Sequence, residues 1–292
     1  MRRLLALAIV VSTIAGCASI ENPGKKIPEI NSAPLHSYSL GDTFVFSDGY
    51  TETVIATSPT ELTWALGPSP TTAVRSVNFF DPIVKWKWDG MSYRFEKSSR
   101  TGALWPMREG LEQSLAGQLI VDHRNGSQSF DQQWTCRVTH SERLQLKVDS
   151  FDTFVVDCKR QSESGAHWQR RRFNYAPTLG HYVRVVDEMK AHGYPGYVFK
   201  QRDLVYFRTG SSENFTSAFQ KALSTLSSGE VFTYESNGAA YKAELKTSSM
   251  SEAGVLCRSI DVQDEQSANY SAEYCLTDSI WALIRMHQPK AN

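Results

Sequence analysis

Five cysteines carry the chemistry that residue type and spacing suggest most directly in this chain of 292 residues. Cys17 stands alone near the start, and the other four form two local pairs, Cys136 with Cys158 and Cys257 with Cys275. Zinc ligands usually recur at short spacings such as C-x2-C, and no such spacing occurs here. The four paired cysteines allow three connectivities, and in an oxidising compartment they are expected to form disulfides rather than a metal site.

The start of the chain indicates such a compartment. Arg2 and Arg3 precede a mostly apolar run over residues 4–14, which is too short to span a bilayer but typical of a signal peptide. The run leads into Ile14-Ala15-Gly16-Cys17, the pattern of a bacterial lipobox, in which the cysteine thiol carries a diacylglycerol. The alternative is an ordinary secretory signal in which the cysteine falls at this position by chance.

The residues after Cys17 predict where the lipoprotein goes. Ala18 and Ser19 follow it, and no aspartate stands there, so the enteric sorting rule predicts delivery to the outer membrane. Acyl chains hold such an anchor because each buried methylene contributes about 0.8 kcal/mol. Residues 1–16 are therefore expected to be a removed signal peptide, and the polar, proline-containing residues 17–36 to be a lipidated tether.

Hairpin arithmetic supports pairing Cys257 with Cys275. The two cysteines lie nine residues on either side of Gln266, within a polar stretch that is expected to turn. Residues equidistant from a turn face each other in an antiparallel pair, at a Cβ separation close to what a disulfide needs. For Cys136 and Cys158 the turn at residues 149–150 is not centred, so this pair requires a bulge or a meeting across a barrel interior.

Other candidate residues have an ordinary explanation beside the functional one. Arg170-Arg171-Arg172 could bind an anion, or could be a strand with arginines on both faces. Trp86 and Trp88 could stack on sugar rings, or could be strand core. Asp149 and Asp152 are the nearest approach to an acid pair, but they flank a turn, where aspartate is common.

Motifs for catalysis and cofactor binding are missing from the sequence. The seven histidines show no H-E-x-x-H spacing, and neither G-x-S-x-G, a P-loop nor G-x-G-x-x-G occurs. We therefore expect no catalytic residue, no metal and no cofactor. Without Arg2 and Arg3 the net charge is −2, so no basic surface for nucleic acid is expected either.

The elements that position these residues are mainly strands. From Tyr38 to about Phe207 apolar residues alternate with polar ones, and turn signals separate short runs such as residues 51–57 and 61–66. Only residues 109–116 suggest a helix in this part. Many short antiparallel strands predict a β-rich domain over residues 37–208, either a sandwich or a rolled half-barrel.

After about Phe207 the spacing of apolar residues changes from the alternation of a strand to the period of a helix. Phe215, Ala218, Phe219, Ala222 and Leu226 recur at helical spacing, and two predicted hairpins follow them. Residues 209–292 are therefore expected to form a small α+β domain, with one helix on an antiparallel sheet.

Three different short motifs follow one another between residues 105 and 184 and together form one pattern. They are Trp105-Pro106-Met107 with Gly110, Val148-Asp149-Ser150-Phe151-Asp152-Thr153-Phe154, and Asn174-Tyr175-Ala176-Pro177-Thr178-Leu179-Gly180-His181-Tyr182-Val183. This part resembles the TapB-like family of bacterial envelope proteins, with Val148-Asp149 in place of its usual Ala-Gly. The resemblance implies an antiparallel β structure and no particular activity.

The C-terminal part carries a second pattern. Ala222-Leu223, Gly229, Cys257-Arg258, Tyr274-Cys275 and Trp281 follow one another over residues 215–284. This part resembles the C-terminal domain of the rickettsial surface-antigen lipoproteins. The glycine-zipper segment of that family has no counterpart here, so no membrane-inserting role is implied.

Together these features predict a non-catalytic outer-membrane lipoprotein with a structural or interaction role in the Gram-negative envelope. Its domains would face the periplasm or the cell exterior, and its partner would be an envelope protein or peptidoglycan. The alternative is a binding module that holds a lipid or another apolar ligand in the β domain. A large apolar cavity would favour this alternative, whereas a cleft with a histidine and a carboxylate would favour an enzyme.

Overall fold

The computed structural model describes residues 30, 32–68, 71–88, 90–162, 168–190, 197–209, 213–236, 239–251, 254–264, 269–277 and 280–287. The expected signal peptide and the lipid-bearing Cys17 lie outside the described residues. Among the described residues, no helix is long and apolar enough to cross a membrane.

Twelve antiparallel strands form the larger unit of the protein. Each strand pairs with its neighbours in sequence, so the unit is an up-and-down meander. The strands are β1 (Thr43–Phe46), β2 (Thr51–Thr57), β3 (Glu61–Leu66), β4 (Thr71–Ser76), β5 (Lys85–Trp88), β6 (Met91–Gly102), β7 (Glu112–His123), β8 (Gly126–Gln145), β9 (Ser150–Ser162), β10 (Trp168–Ala176), β11 (His181–Lys190) and β12 (Tyr197–Arg208).

The sheet closes into a barrel, because β1 pairs with β12 as well as with β2. Phe44, for example, lies opposite Phe207 on one side and Glu52 on the other. The predicted mainly antiparallel β structure is confirmed, but the sheet is a complete barrel rather than a sandwich or half-barrel. Closure satisfies both edge strands, which an open sheet would leave unpaired. Residues 109–116 are not helical, and most of them belong to β7.

Two segments outside the strands fill part of the barrel. Ala33 exchanges two backbone hydrogen bonds with Met107 and is almost fully buried, so the end of the predicted tether belongs to the barrel core. The connection between β4 and β5 inserts Phe79 and Phe80 into the interior. Trp134 Nε1 on β8 donates a 2.8 Å hydrogen bond to the carbonyl oxygen of Phe80, which fixes the inserted loop to the barrel wall.

The smaller unit is a five-stranded antiparallel sheet with one helix, as the sequence predicts. Phe219 and Leu223 on the helix pack against Tyr234, Tyr274 and Trp281 of the sheet. The elements are α1 (Glu213–Thr225), β13 (Val231–Ser236), β14 (Ala239–Met250), β15 (Leu256–Asp264), β16 (Asn269–Thr277) and β17 (Ile280–His287), and the strands pair in sequence order.

Both disulfides join residues that lie directly opposite each other on neighbouring strands. Cys257 and Cys275 face each other on β15 and β16, and Cys136 and Cys158 on β8 and β9. The β8–β9 pairing shifts by one residue between Val138 and the turn, which supplies the bulge that the sequence arithmetic required. Each bond therefore ties one hairpin of its own unit.

The edge strand β17 lies against the outside of the barrel. Thr51 Oγ1 on β2 donates hydrogen bonds to the carbonyl oxygens of Leu283, at 3.0 Å, and Ile284. A Cβ atom at Gly67 would overlap the Ile284 oxygen, so only glycine permits this approach. The Cys257–Cys275 bond faces the barrel in the same contact. The barrel wall thus covers a sheet edge that would otherwise be exposed.

Candidate functional site

A cavity of about 270 Å³ lies inside the barrel near one end. Its walls combine aromatic rings with charged side chains, and its size is close to the lower limit for small-molecule sites, about 300 Å³. Aromatic residues that line it include Trp86, Phe95, Trp134, Phe173 and Tyr182. Trp86 also stacks on Tyr93, with ring centroids 4.7 Å apart.

Strand register orders the inward side chains into layers. Trp134, Arg160 and Gln169 lie directly opposite one another on β8, β9 and β10, and we call this layer the mouth. Met189 continues the layer on β11 and is 41% exposed, so the layer borders solvent.

Two further layers lie below the mouth. The first contains the Cys136–Cys158 disulfide, followed on β10 and β11 by Arg171 and Asp187. The second is mostly apolar and includes Val138, Val156, Phe173 and Val185. The cavity wall therefore changes from polar at the mouth to apolar below, and the disulfide ties β8 to β9 between the two.

Four arginines line the cavity, and three of them form ion pairs. Arg75 pairs with Glu52 at 3.0 Å, Arg171 with Asp187 at 2.8 Å and Arg202 with Asp48 at 2.8 Å. Arg160 is the exception, because it has neither a hydrogen bond nor an ion pair with any residue that the structure describes.

The environment of Arg160 disfavours its positive charge. Burial, with a further contribution from neighbouring Arg171, lowers the pKa of its guanidinium to about 10. The group still carries its charge at neutral pH. Asp187 attracts it and offsets part of this shift, but no described carboxylate lies within ion-pair distance of it. Gln132, which lines the same wall, also makes no side-chain hydrogen bond within the described part of the chain. The mouth therefore presents unused hydrogen-bond donors to the cavity.

Phenol groups also line the cavity. Tyr50 and Tyr182 line it, and their hydroxyl groups have no hydrogen-bond partner among the described residues. Burial first, and then the charge of Glu52, raises the pKa of both phenols. Both side chains are therefore neutral hydroxyl groups that can donate and accept hydrogen bonds at physiological pH.

A buried polar network lies beyond Glu52, and we call this region the deep end. Nε2 of His181 donates to the Glu52 carboxylate at 3.0 Å, and its Nδ1 lies 3.0 Å from the hydroxyl of Tyr38. That hydroxyl donates to the carbonyl oxygen of Gly180 at 2.8 Å. His181 has no exposed surface, and its ring stacks on Phe44 at a centroid distance of 3.8 Å.

The deep end brings together a histidine and a carboxylate, the combination that would favour an enzyme. Glu52 lines the cavity, but the imidazole of His181 does not, because aromatic rings surround it. A general base must lie within hydrogen-bond reach of a substrate proton. The geometry of His181 therefore suits a structural hydrogen bond to Glu52 rather than proton transfer to a ligand.

The arginine cluster predicted from the sequence is divided by the strand geometry. Arg171 points inward and lines the cavity, whereas Arg170 pairs with Asp157 and Arg172 is exposed on the outer face. The explanation of a strand with arginines on both faces is thus confirmed, whereas anion binding by the cluster stays a prediction.

The tryptophan and aspartate candidates also differ in whether they line the cavity. Trp86 lines the cavity, while the side chain of Trp88 lies outside the described part. Asp149 lies in the β8–β9 connection and accepts a hydrogen bond from the backbone of Ser150, and Asp152 lies at the start of β9 near Arg143. Neither aspartate lines the cavity, so the predicted acid pair forms no site there.

One group of potential metal ligands lies outside the cavity. Cys257, Glu273 and Cys275 come close enough to share an ion, but the two sulfur atoms are bonded to each other. A disulfide offers no thiolate to a metal, so this group is not a metal site.

Arg160 is the cavity-lining cation that sequence reasoning missed. A signal for it existed, since Phe154, Val156 and Cys158 share one face of the predicted strand and Arg160 continues the alternation. A cation at the end of an apolar strand face marks the place where the barrel interior becomes polar.

Comparison with known proteins adds no assignment: no family model matches the chain, and no curated protein or solved structure is significantly similar to it.

Proposed function

We propose that this protein is a non-catalytic envelope binding module, which is lipid-anchored to the outer membrane at Cys17 and holds a small ligand in the barrel cavity. The observation that carries the proposal is a cavity in which four polar side chains make no hydrogen bond to a described residue, inside a barrel that is otherwise filled by its own side chains; they are Arg160, Gln132, Tyr50 and Tyr182. Polar groups that face a cavity in this way can bond to water or to a ligand that displaces the water, and a few such groups on a mostly apolar wall are typical of small-molecule sites.

The two disulfides support an extracytoplasmic location, because disulfides persist in oxidising compartments. The lipid anchor rests on the lipobox alone. Replacement of Cys17 by alanine is expected to abolish labelling with radioactive palmitate and to release the protein from outer-membrane fractions. Retained labelling would contradict the anchor.

A purely structural or interaction role has less support. Phe199 on β12 is 64% exposed, but single exposed apolar residues are ordinary on protein surfaces and do not by themselves define an interface. The resemblances to envelope lipoproteins are compatible with either role. The cavity therefore favours the binding module, with an envelope protein or peptidoglycan contact as the second candidate.

Filling the cavity tests the proposal. Val185 lines it, whereas the next residue, Val186, lies on the outer side of the same strand. Val185→Phe is expected to reduce binding of the neutral fluorescent probe N-phenyl-1-naphthylamine at least tenfold, because the added ring occupies the cavity. Val186→Phe is the matched control and is expected to bind like the wild type.

Fluorescence titration of folded protein measures this difference, and melting curves check that each variant is folded. No binding by the wild type, or equal binding by both variants, would contradict the proposal.

A further inference from the structure

We infer that the ligand of this cavity is a small organic anion, and that Arg160 is the residue that binds its acidic group. This inference rests on the proposed function, since it identifies the chemistry of the ligand that the cavity would hold. Three observations lead to it: the charge balance of the walls, the position of Arg160, and the aromatic surface below it.

The first observation is the charge balance. Glu52, Asp187 and Asp48 each already pair with an arginine, and Asp81, which also lines the cavity, pairs with Arg100. Arg160 remains as a half-buried cation that forms no ion pair with any described residue. Asp187 attracts it from a longer distance but is already paired with Arg171. A charge in a partly desolvated site is costly unless it is paired, so an anion is the ligand class that this wall favours most.

The second observation is position. Arg160 stands between Trp134 and Gln169 at the mouth, on a wall that Gln132 also lines. A guanidinium presents a planar fork of donors that matches the two oxygens of a carboxylate, sulfonate or phosphate. Gln132 can add an amide donor to the same acidic group.

The third observation concerns the rest of the ligand. Below the mouth, Phe173, Tyr182 and Val185 form a largely apolar wall, and Trp134 adds a ring at the rim. An inorganic ion on Arg160 would leave this surface unused. A flat or short apolar body would stack on the rings and remove them from water. The site therefore suits a molecule with one acidic group and a small apolar body.

A matched pair of probes tests the inference. 8-Anilino-1-naphthalenesulfonate has the skeleton of N-phenyl-1-naphthylamine with a sulfonate added. Wild-type protein is expected to bind the sulfonate at least tenfold more tightly than the neutral probe. Arg160→Gln is expected to lower sulfonate affinity by roughly tenfold or more, because it removes a charge-assisted hydrogen bond, and to change neutral-probe affinity less than threefold.

Arg172→Gln is the control, because it removes the same charge from the exposed outer face of the adjacent strand. This variant is expected to bind both probes like the wild type. An equal loss of sulfonate affinity in Arg172→Gln would indicate a general charge effect and overturn the role of Arg160.

The remaining outcomes separate the two proposals. If the wild type binds both probes equally and Arg160→Gln changes neither affinity, the anion inference fails while the binding module stands. If the wild type binds neither probe, the cavity proposal fails as well. Displacement of the sulfonate by octanoate supports an aliphatic acid, and displacement by 2-naphthoate supports an aromatic one. Displacement by inorganic phosphate alone would overturn the organic part of the inference.

Discussion

The deep end and the mouth of the barrel differ in how completely their polar side chains are hydrogen-bonded within the protein. At the deep end, Glu52, His181 and Tyr38 bond to one another or to the backbone. At the mouth, Gln169 donates to Asp187 and Trp134 to the backbone, but Arg160 and the neighbouring Gln132 have no hydrogen-bond partner among the described residues. Both regions belong to one closed sheet, so the difference comes from the side chains and not from the backbone.

This difference distinguishes polar groups that stabilise the fold from polar groups that are available to a ligand. A polar network satisfied inside the protein fixes the packing of its surroundings, and it is costly to break. Polar groups without internal partners do not stabilise the fold, so their presence at the mouth suggests a ligand. The comparison predicts that substitutions at the deep end mainly lower stability, whereas substitutions at the mouth mainly change binding.

The largest effect is expected from Glu52→Gln. It removes the negative charge between Arg75 and His181 and leaves a buried guanidinium without its counter-ion, which typically costs about 3–5 kcal/mol. Denaturant unfolding measures the loss. Glu61→Gln, at an exposed position on β3, is the control and is expected to change stability by less than about 0.5 kcal/mol. A similar small change in both variants would contradict the structural role of the network.

The two disulfides allow effects on stability and on binding to be separated, because each joins the strands of one hairpin but only one of them lies beside the cavity. Double replacement by serine is expected to cost about 2–4 kcal/mol for either pair. Loss of Cys136–Cys158 is also expected to weaken binding of the neutral probe, since this bond holds the wall directly below Arg160. Loss of Cys257–Cys275 should leave binding intact, because that bond faces the outside of the barrel. Equal effects of the two double replacements on probe affinity would contradict the placement of Cys136–Cys158 in the cavity wall below Arg160.

Much of the local structure could be predicted, because its signals are local. The bounds of β2 and β3 match the predicted strands, since turn residues stand on both sides of each. Barrel closure depends instead on pairing between β1 and β12, and alternation within each strand does not specify that partner. The helix suggested over residues 109–116 is wrong for a related reason: pairing with β6 and β8 makes this segment a strand.

The candidate site was less predictable than the fold. Arg171 was singled out as one of three adjacent arginines, but only the register with Asp187 shows that it faces inward. Arg160 stands alone in sequence, and its importance appears only in the structure, where the nearby carboxylate of Asp187 forms its ion pair with Arg171 instead. An unpaired charge is a property of the assembled barrel, which periodicity cannot show.

A smaller effect is expected from pH. Burial alone raises the pKa of Glu52, but Arg75 and the hydrogen bond from His181 outweigh it and lower the pKa to about 2; burial also lowers the pKa of His181. In the unfolded chain the two groups take up protons near their ordinary pKa values, 6.5 for histidine and 4.5 for glutamate, whereas in the folded protein they take them up only at lower pH. Below each of these pH values the unfolded chain therefore binds more protons than the folded protein. Stability is expected to fall as the pH drops through these values.

Melting temperatures between pH 7.5 and pH 3.5 measure this dependence. Glu52→Gln removes the carboxyl group, so its melting temperature is expected to fall less steeply below pH 4.5. A variant as acid-sensitive as the wild type would place the responsible groups elsewhere.

The smallest effect on stability is expected at the mouth itself. Arg160→Leu removes a half-buried cation that forms no ion pair or hydrogen bond with a described residue, and replaces it with an apolar group beside Trp134. Stability is therefore expected to stay constant or to rise by up to about 1 kcal/mol, because a site kept for function is often not optimal for folding. Arg202→Leu is the contrasting variant, since it breaks the ion pair with Asp48 and should lower stability. Denaturant unfolding of both variants measures the two effects. A destabilisation by Arg160→Leu as large as that by Arg202→Leu would show that Arg160 supports the fold, and the distinction between the deep end and the mouth would no longer hold.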